Sequence, residues 1–143
     1  MSTGPALKRF LDAQERDYRT ALSEIQNGRK QSHWIWYIFP QIQGLGLSGR
    51  SQFYAIADLQ EAKDYLANPV LGARLTEICA ELLKLDTRNA TEVFGRPDDM
   101  KVRSSMTLFA EADPTNPIFQ QVLDTFFHGA KDEKTLEILG REA

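Results

Sequence analysis

The sequence predicts an all-α protein, a single compact domain in which several short helices join three longer ones. Three observations carry this. Apolar residues recur at three-, four- and seven-residue steps along most of the chain. No stretch shows strand-length alternation bounded by hairpin turns, and no repeat, low-complexity run or linker divides the chain. The length, 143 residues, suits one domain and is too short for two ordinary ones, with an ordered core expected over about residues 5–140.

The first long helix runs from Pro5 to Asn27-Gly28. Leu7, Phe10, Leu11, Tyr18, Leu22 and Ile25 form its apolar stripe; Pro5 suits a first turn and Gly28 a left-handed stop. His33-Trp34-Ile35-Trp36-Tyr37-Ile38-Phe39 is rich in aromatic and β-branched residues, which by propensity favours a strand. A lone strand has no partner here, so the segment is predicted to be a short buried helix, capped by Ser32 and ending before Pro40. Ser51 to Leu66 carries a helical pattern broken near Asp58. Asn68-Pro69 opens the second long helix, with Leu71, Leu75, Ile78, Cys79, Leu82 and Leu85 buried. Pro97 opens a helix that turns Val102, Met106 and Phe109 inward. Asn116-Pro117 starts the third long helix, through Phe119, Val122, Leu123 and Phe126 to Gly129, and Asp132 caps a last turn or two holding Leu136 and Leu139.

Composition excludes several classes of function. Seventeen Lys and Arg against twenty Asp and Glu give a net charge of -3, which offers no general pull toward a phosphate backbone, so nucleic-acid binding is not expected. The single cysteine, Cys79, forbids an internal disulfide and reads as an inert core thiol. His33 and His128 lie too far apart to form a local metal site, so neither metal nor cofactor is expected. No segment approaches the roughly 18 uninterrupted apolar residues of a membrane span. Met1-Ser2-Thr3-Gly4 reads as no signal peptide, and neither Gly4 nor Ala143 suits lipidation. The expectation is a soluble cytoplasmic domain.

Two blocks concentrate polar and special-geometry residues beside apolar anchors. The first is Lys30-Gln31-Ser32-His33-Trp34-Ile35-Trp36-Tyr37-Ile38-Phe39-Pro40-Gln41 followed by Gly44-Leu45-Gly46-Leu47-Ser48. The second is Phe94-Gly95-Arg96-Pro97-Asp98-Asp99-Met100-Lys101, running into Ser104-Ser105-Met106-Thr107-Leu108-Phe109-Ala110. With these blocks the chain resembles, from Leu7 to Leu139, the bacterial family called domain of unknown function eighteen-ten. The resemblance implies a mainly helical single domain and brings no established activity or catalytic residues. Members sometimes carry the label calpastatin, but nothing here looks like a disordered, repeat-bearing protease inhibitor.

Each block also has an ordinary reading. Gly44-Leu45-Gly46-Leu47-Ser48-Gly49 matches G-x-G-x-x-G, with Asp64 twenty positions beyond the first glycine. A dinucleotide fold needs that loop between a strand and a helix, and neither a first nor a second strand is available. The glycine amides can instead form an anion nest beside Arg50, or simply turn the chain with Ser48 as a cap. His33, Trp34 and Trp36 can stack on a flat ring, or they are core anchors. Lys101, Ser104, Ser105 and Leu108 share a helix face opposite the buried stripe. Lys101 and Ser104 can hold an anion there, whereas the order and spacing argue against a serine–lysine nucleophile. Asp98 and Asp99 suit a first helical turn, or pair with Arg50 or His33.

If the two blocks meet, His33, Trp36, Gln41, Gly44, Gly46, Ser48 and Arg50 face Asp99, Lys101, Ser104 and Ser105 across a cleft. Such a cleft points to a phosphorylated or nucleotide-like small molecule, with metal-independent hydrolysis or glycosidic cleavage as the chemistry it admits. The alternative is a non-catalytic protein-interaction or regulatory module, which would present a flat apolar patch. His33 and Lys101 on opposite faces of the domain would exclude the cleft.

Overall fold

The computed structural model describes residues 5–46 and 48–142, with side chains for 6–46 and 48–140. Leu47 and the readings made on Met1–Gly4 and Ala143 lie outside the described residues. The described residues form nine helices: α1 (Pro5–Gln26), α2 (Ile35–Ile38), α3 (Gly49–Phe53), α4 (Leu59–Ala67), α5 (Pro69–Leu83), α6 (Ala90–Phe94), α7 (Asp98–Ala112), α8 (Ile118–Phe127) and α9 (Glu133–Glu142). Among them the nearest approach to a sheet is one parallel bridge, Ile42 to Ile56. In it Gln43 N donates to Ile56 O and Ile56 N to Gln41 O, each at 2.8 Å.

Most boundaries follow from side chains that satisfy free helix amides. Asn68 Oδ1 accepts from Val70 N and Leu71 N at the start of α5. Asp58 accepts from Glu61 N and separates α4 from α3. Asn116 Oδ1 takes Ile118 N before α8, and Asp132 Oδ2 takes Thr135 N before α9. Gly28 and Gly129 adopt positive φ past α1 and α8, although at α8 the cap itself is His128, also left-handed. The aromatic segment is helical, as tertiary context requires. Its cap differs from the expectation: Trp34 occupies the position and its side chain does not cap the helix, while the Ser32 hydroxyl donates to Glu24 instead. Helix α6, capped by Asn89 through Glu92 N, has no counterpart in the sequence reading; five residues are too few to show a period.

Helix α7 is the centre of the fold, packed against α2, α4, α6, α8 and α9. Val102, Met106 and Phe109 are fully buried as predicted, but Ser105, Thr107 and Leu108 are fully buried too. The face drawn through Lys101, Ser104, Ser105 and Leu108 is therefore polar and accessible only toward its N-terminal end. Helix α1 packs on α5 and α2 and buries Leu7, Phe10, Tyr18 and Ile25, Phe10 against Tyr54 and Tyr65, and Gln14 reaches inward to donate to Tyr37 O at 2.8 Å and Tyr65 Oη at 2.9 Å. Cys79 Sγ lies 3.6 Å from Met106 Sδ, and burial raises its thiol pKa far above the usual range, as expected of an inert core thiol.

The Ser105 hydroxyl is buried and has no hydrogen-bond partner among the described residues. Burying such a group opposes folding, so Ser105→Ala is expected to raise stability by about 1 kcal/mol in urea unfolding. A loss of stability would show that the hydroxyl has a partner in solution.

Candidate functional site

Glu24, near the end of α1, fixes the start of the first block. Its Oε1 accepts from Gln31 N (2.7 Å), Ser32 N (2.9 Å) and the Trp34 indole Nε1 (2.9 Å), and its Oε2 accepts from Ser32 Oγ (2.5 Å). Burial alone would raise the pKa of this carboxyl, but those hydrogen bonds outweigh it and hold it below the usual range. Trp34 is thereby locked inward at 1% exposure, and Trp36, two residues on, is left half-buried.

The two blocks meet. Gln41, Leu45, Gly46 and Ser51 on one side and Pro97, Met100, Lys101 and Ser104 on the other, with Asp132 beside them, line a cavity of about 270 Å³. Gly46 is fixed by close packing: a Cβ there would fall 2.4 Å from Ser51 Cβ and Oγ. Ser104 Oγ donates back to Met100 O at 3.2 Å. Asp132 is occupied in capping α9, where Thr135 Oγ1 also donates to it.

Trp36 is where the remaining cations gather. Lys101 Nζ lies 5.2 Å from its ring centroid and the Arg50 guanidinium carbon 5.3 Å. Behind Lys101, Asp98 holds two ammonium groups, Lys30 Nζ at 2.7 Å from Oδ2 and Lys101 Nζ at 3.3 Å from Oδ1. Lys30 is nearly buried and also sits 5.1 Å from the Trp34 ring. Asp98 thus pairs with lysines and not with Arg50 or His33.

Beyond Trp36, His33 and Arg50 line a second cavity of about 340 Å³ with Arg16, Asp17, Tyr37 and Tyr54. The Tyr37 hydroxyl donates to Asp17, and burial, with that bond and charge, pushes its pKa up to about 12. The Tyr54 phenol and the Asp17 carboxylate near Arg16 favour its charged form and raise its pKa. His33 and Lys101 are therefore not on opposite faces; each lines a cavity that borders Trp36 or a cation stacked on it.

The other expected site residues lie apart from both cavities. Gly44 turns the chain at φ +106° against Ile138. Ser48 takes the ordinary role, capping α3 by accepting from Ser51 N at 3.1 Å. Asp99 is buried and accepts from Thr91 Oγ1 (2.6 Å) and Met100 N (2.8 Å), so it works within the α6–α7 corner. Ser105 is in the core. Residues that the sequence reading did not single out are Arg16, Asp17, Tyr54, Ser51 and Met100. The α1 pair resembles any solvated helix face, and only the Tyr37 neighbourhood hinted at them. Among the described residues no three His, Cys, Asp or Glu converge as a metal site, and no helix is long and apolar enough to cross a membrane.

A crystal structure of the conserved hypothetical protein Rv1873 from Mycobacterium tuberculosis is similar to this chain, with 42% identity and a TM-score of 0.92. The alignment covers 94% of this chain and 96% of that one. No curated protein matches the sequence. The motif resemblance and this shared architecture agree with a match over residues 5–139 to the family described as "Protein of unknown function (DUF1810)", and the chain belongs to that family.

Proposed function

We propose that the cleft beside Trp36 binds a phosphorylated or nucleotide-like small molecule in the cytoplasm. The observation that carries this reading is the convergence of Lys101 and Arg50 on one half-buried indole ring, with Gln41, Gly46 and Ser104 lining the cavity that Lys101 enters. Cations beside a flat aromatic wall, with hydroxyl and amide groups near, suit an anion attached to a ring. The carboxylates at the cleft are engaged: Asp98 pairs with Lys30 and Lys101, Asp17 accepts from Tyr37, and Asp132 caps α9. Binding, rather than hydrolysis, is the function this geometry supports best.

A thermal-shift panel of inorganic phosphate, sugar phosphates and nucleotides tests the reading. A ligand at 100 times its Kd adds about 2.7 kcal/mol, a clear rise in melting temperature. Lys101→Ala, with the free protein's melting temperature kept, is expected to weaken the hit about tenfold, the loss of one charge-assisted contact. A panel without a hit, or a hit that Lys101→Ala leaves unchanged, overturns the proposal.

A further inference from the structure

We infer that the two cavities flanking Trp36 are subsites for one ligand, and that this ligand is a nucleoside diphosphate or an ester of one. The inference rests on the phosphate-binding reading of the Lys101 cavity and extends it across the indole ring. Two observations place the cavities close to one another. Arg50 and Ser51, consecutive in α3, line one each, and the Trp36 ring carries a cation belonging to each.

Size supports a joint site. Small-molecule pockets span about 300–1,000 Å³. The Lys101 cavity, at about 270 Å³, falls just short of that range, whereas it and its neighbour of about 340 Å³ together lie well inside it.

Each cavity contributes one cation to the Trp36 ring. Lys30 and Lys101 share the single carboxylate of Asp98. Arg16 and Arg50 face the single carboxylate of Asp17, which already accepts from Tyr37. Among the described residues Arg50 forms no ion pair, and its contact is the indole. Asp132, at the Lys101 cavity, is engaged in capping α9. One cation from each cavity thus stands at the ring, in a chain whose formal net charge is -3. Two linked phosphoryl groups spanning from Arg50 to Lys101 meet both cations, and one phosphoryl group meets a single cation.

The walls give the orientation. Tyr37 and Tyr54, with ring centroids 5.0 Å apart, and His33 line the Arg16 cavity, and a base can pack against them there. The Lys101 cavity offers Gln41, Ser51 and Ser104, which suit a terminal phosphoryl group. The outer phosphate then lies at Lys101, the inner one at Arg50, and the nucleoside in the Arg16 cavity.

Calorimetric titration with ADP, GDP, UDP and CDP, their monophosphates and inorganic pyrophosphate tests this. At least one nucleoside diphosphate is expected to bind about tenfold more tightly than both its monophosphate and pyrophosphate. Lys101→Ala is expected to remove most of the preference over the monophosphate, and Arg50→Ala to weaken mono- and diphosphate alike. Arg16→Ala, at an exposed position that folding tolerates, is expected to reduce the preference over pyrophosphate. Equal affinity for mono- and diphosphates, both weakened by Lys101→Ala, overturns the two-subsite inference and leaves the binding function standing. A preference for the diphosphate over the monophosphate that Lys101→Ala leaves unchanged, with both affinities lowered alike, also overturns it. Absence of binding across the panel overturns both.

Discussion

A Glu24→Ala protein is expected to be about 3 kcal/mol less stable than the parent, the cost of leaving several donors without an acceptor. The carboxylate accepts four hydrogen bonds from Gln31, Ser32 and Trp34, and the Trp34 indole has no route to water at 1% exposure. For a chain of this length the melting temperature should fall by about 10 °C. Because Trp34 and Trp36 share one short helix, ligand affinity should fall along with stability.

Acid should reproduce part of this loss. The native pKa of Glu24 is lowered, so its contribution is complete above the ordinary glutamate value of about 4.3 and is lost as pH falls through the native value. The stability difference between the parent and Glu24→Gln should therefore be largest near neutral pH and shrink below pH of about 4. A difference that stays constant from neutral to strongly acidic pH would show that the carboxylate charge contributes nothing.

Gly72→Ala is expected to destabilise by about 3 kcal/mol, against the sign of helix propensity, which favours alanine by about 1 kcal/mol. Gly72 lies in the first turn of α5, and Asn68 alone links that helix to α4. A Cβ at Gly72 would stand 2.2 Å from the Leu66 carbonyl oxygen and 3.1 Å from its carbon. Backbone cannot swing aside as a long side chain can, so the two helices must separate at their corner. Denaturant unfolding measures the effect. A neutral or stabilising result would mean that the α4–α5 corner relaxes at little cost.

This glycine marks a limit of sequence reading. Asn68 and Pro69 announce the start of α5, because a cap and a missing amide proton act within one turn. The reason for Gly72 lies across the corner in another helix, where no local pattern records it. The same division holds at the site. Gln41, Gly46, Lys101 and Ser104 were legible as polar and special-geometry residues set among anchors, and they do share a cavity. Asp99, equally polar, serves Thr91 and the α6–α7 corner, because α6 could not be foreseen from five residues. Ser105 and Leu108 were placed on an open face because a helical wheel shows which residues share a side but not how many neighbours close over it. Around α7, five helices do.

The two walls of the cleft differ in how freely their sequence can vary. Lys101 and Ser104 ride on α7, whose later turns are buried on every side, so substitutions there disturb packing before they alter recognition. The facing wall is a five-residue helix, α3, and the loop before it, joined to the chain ahead by the backbone bonds of one bridge. Arg50 and Gln52 are open to solvent and Ser51 is half-buried. Within the family, divergence in what the cleft accepts is expected to accumulate on α3, while the Lys101 wall supplies the inherited part of the recognition.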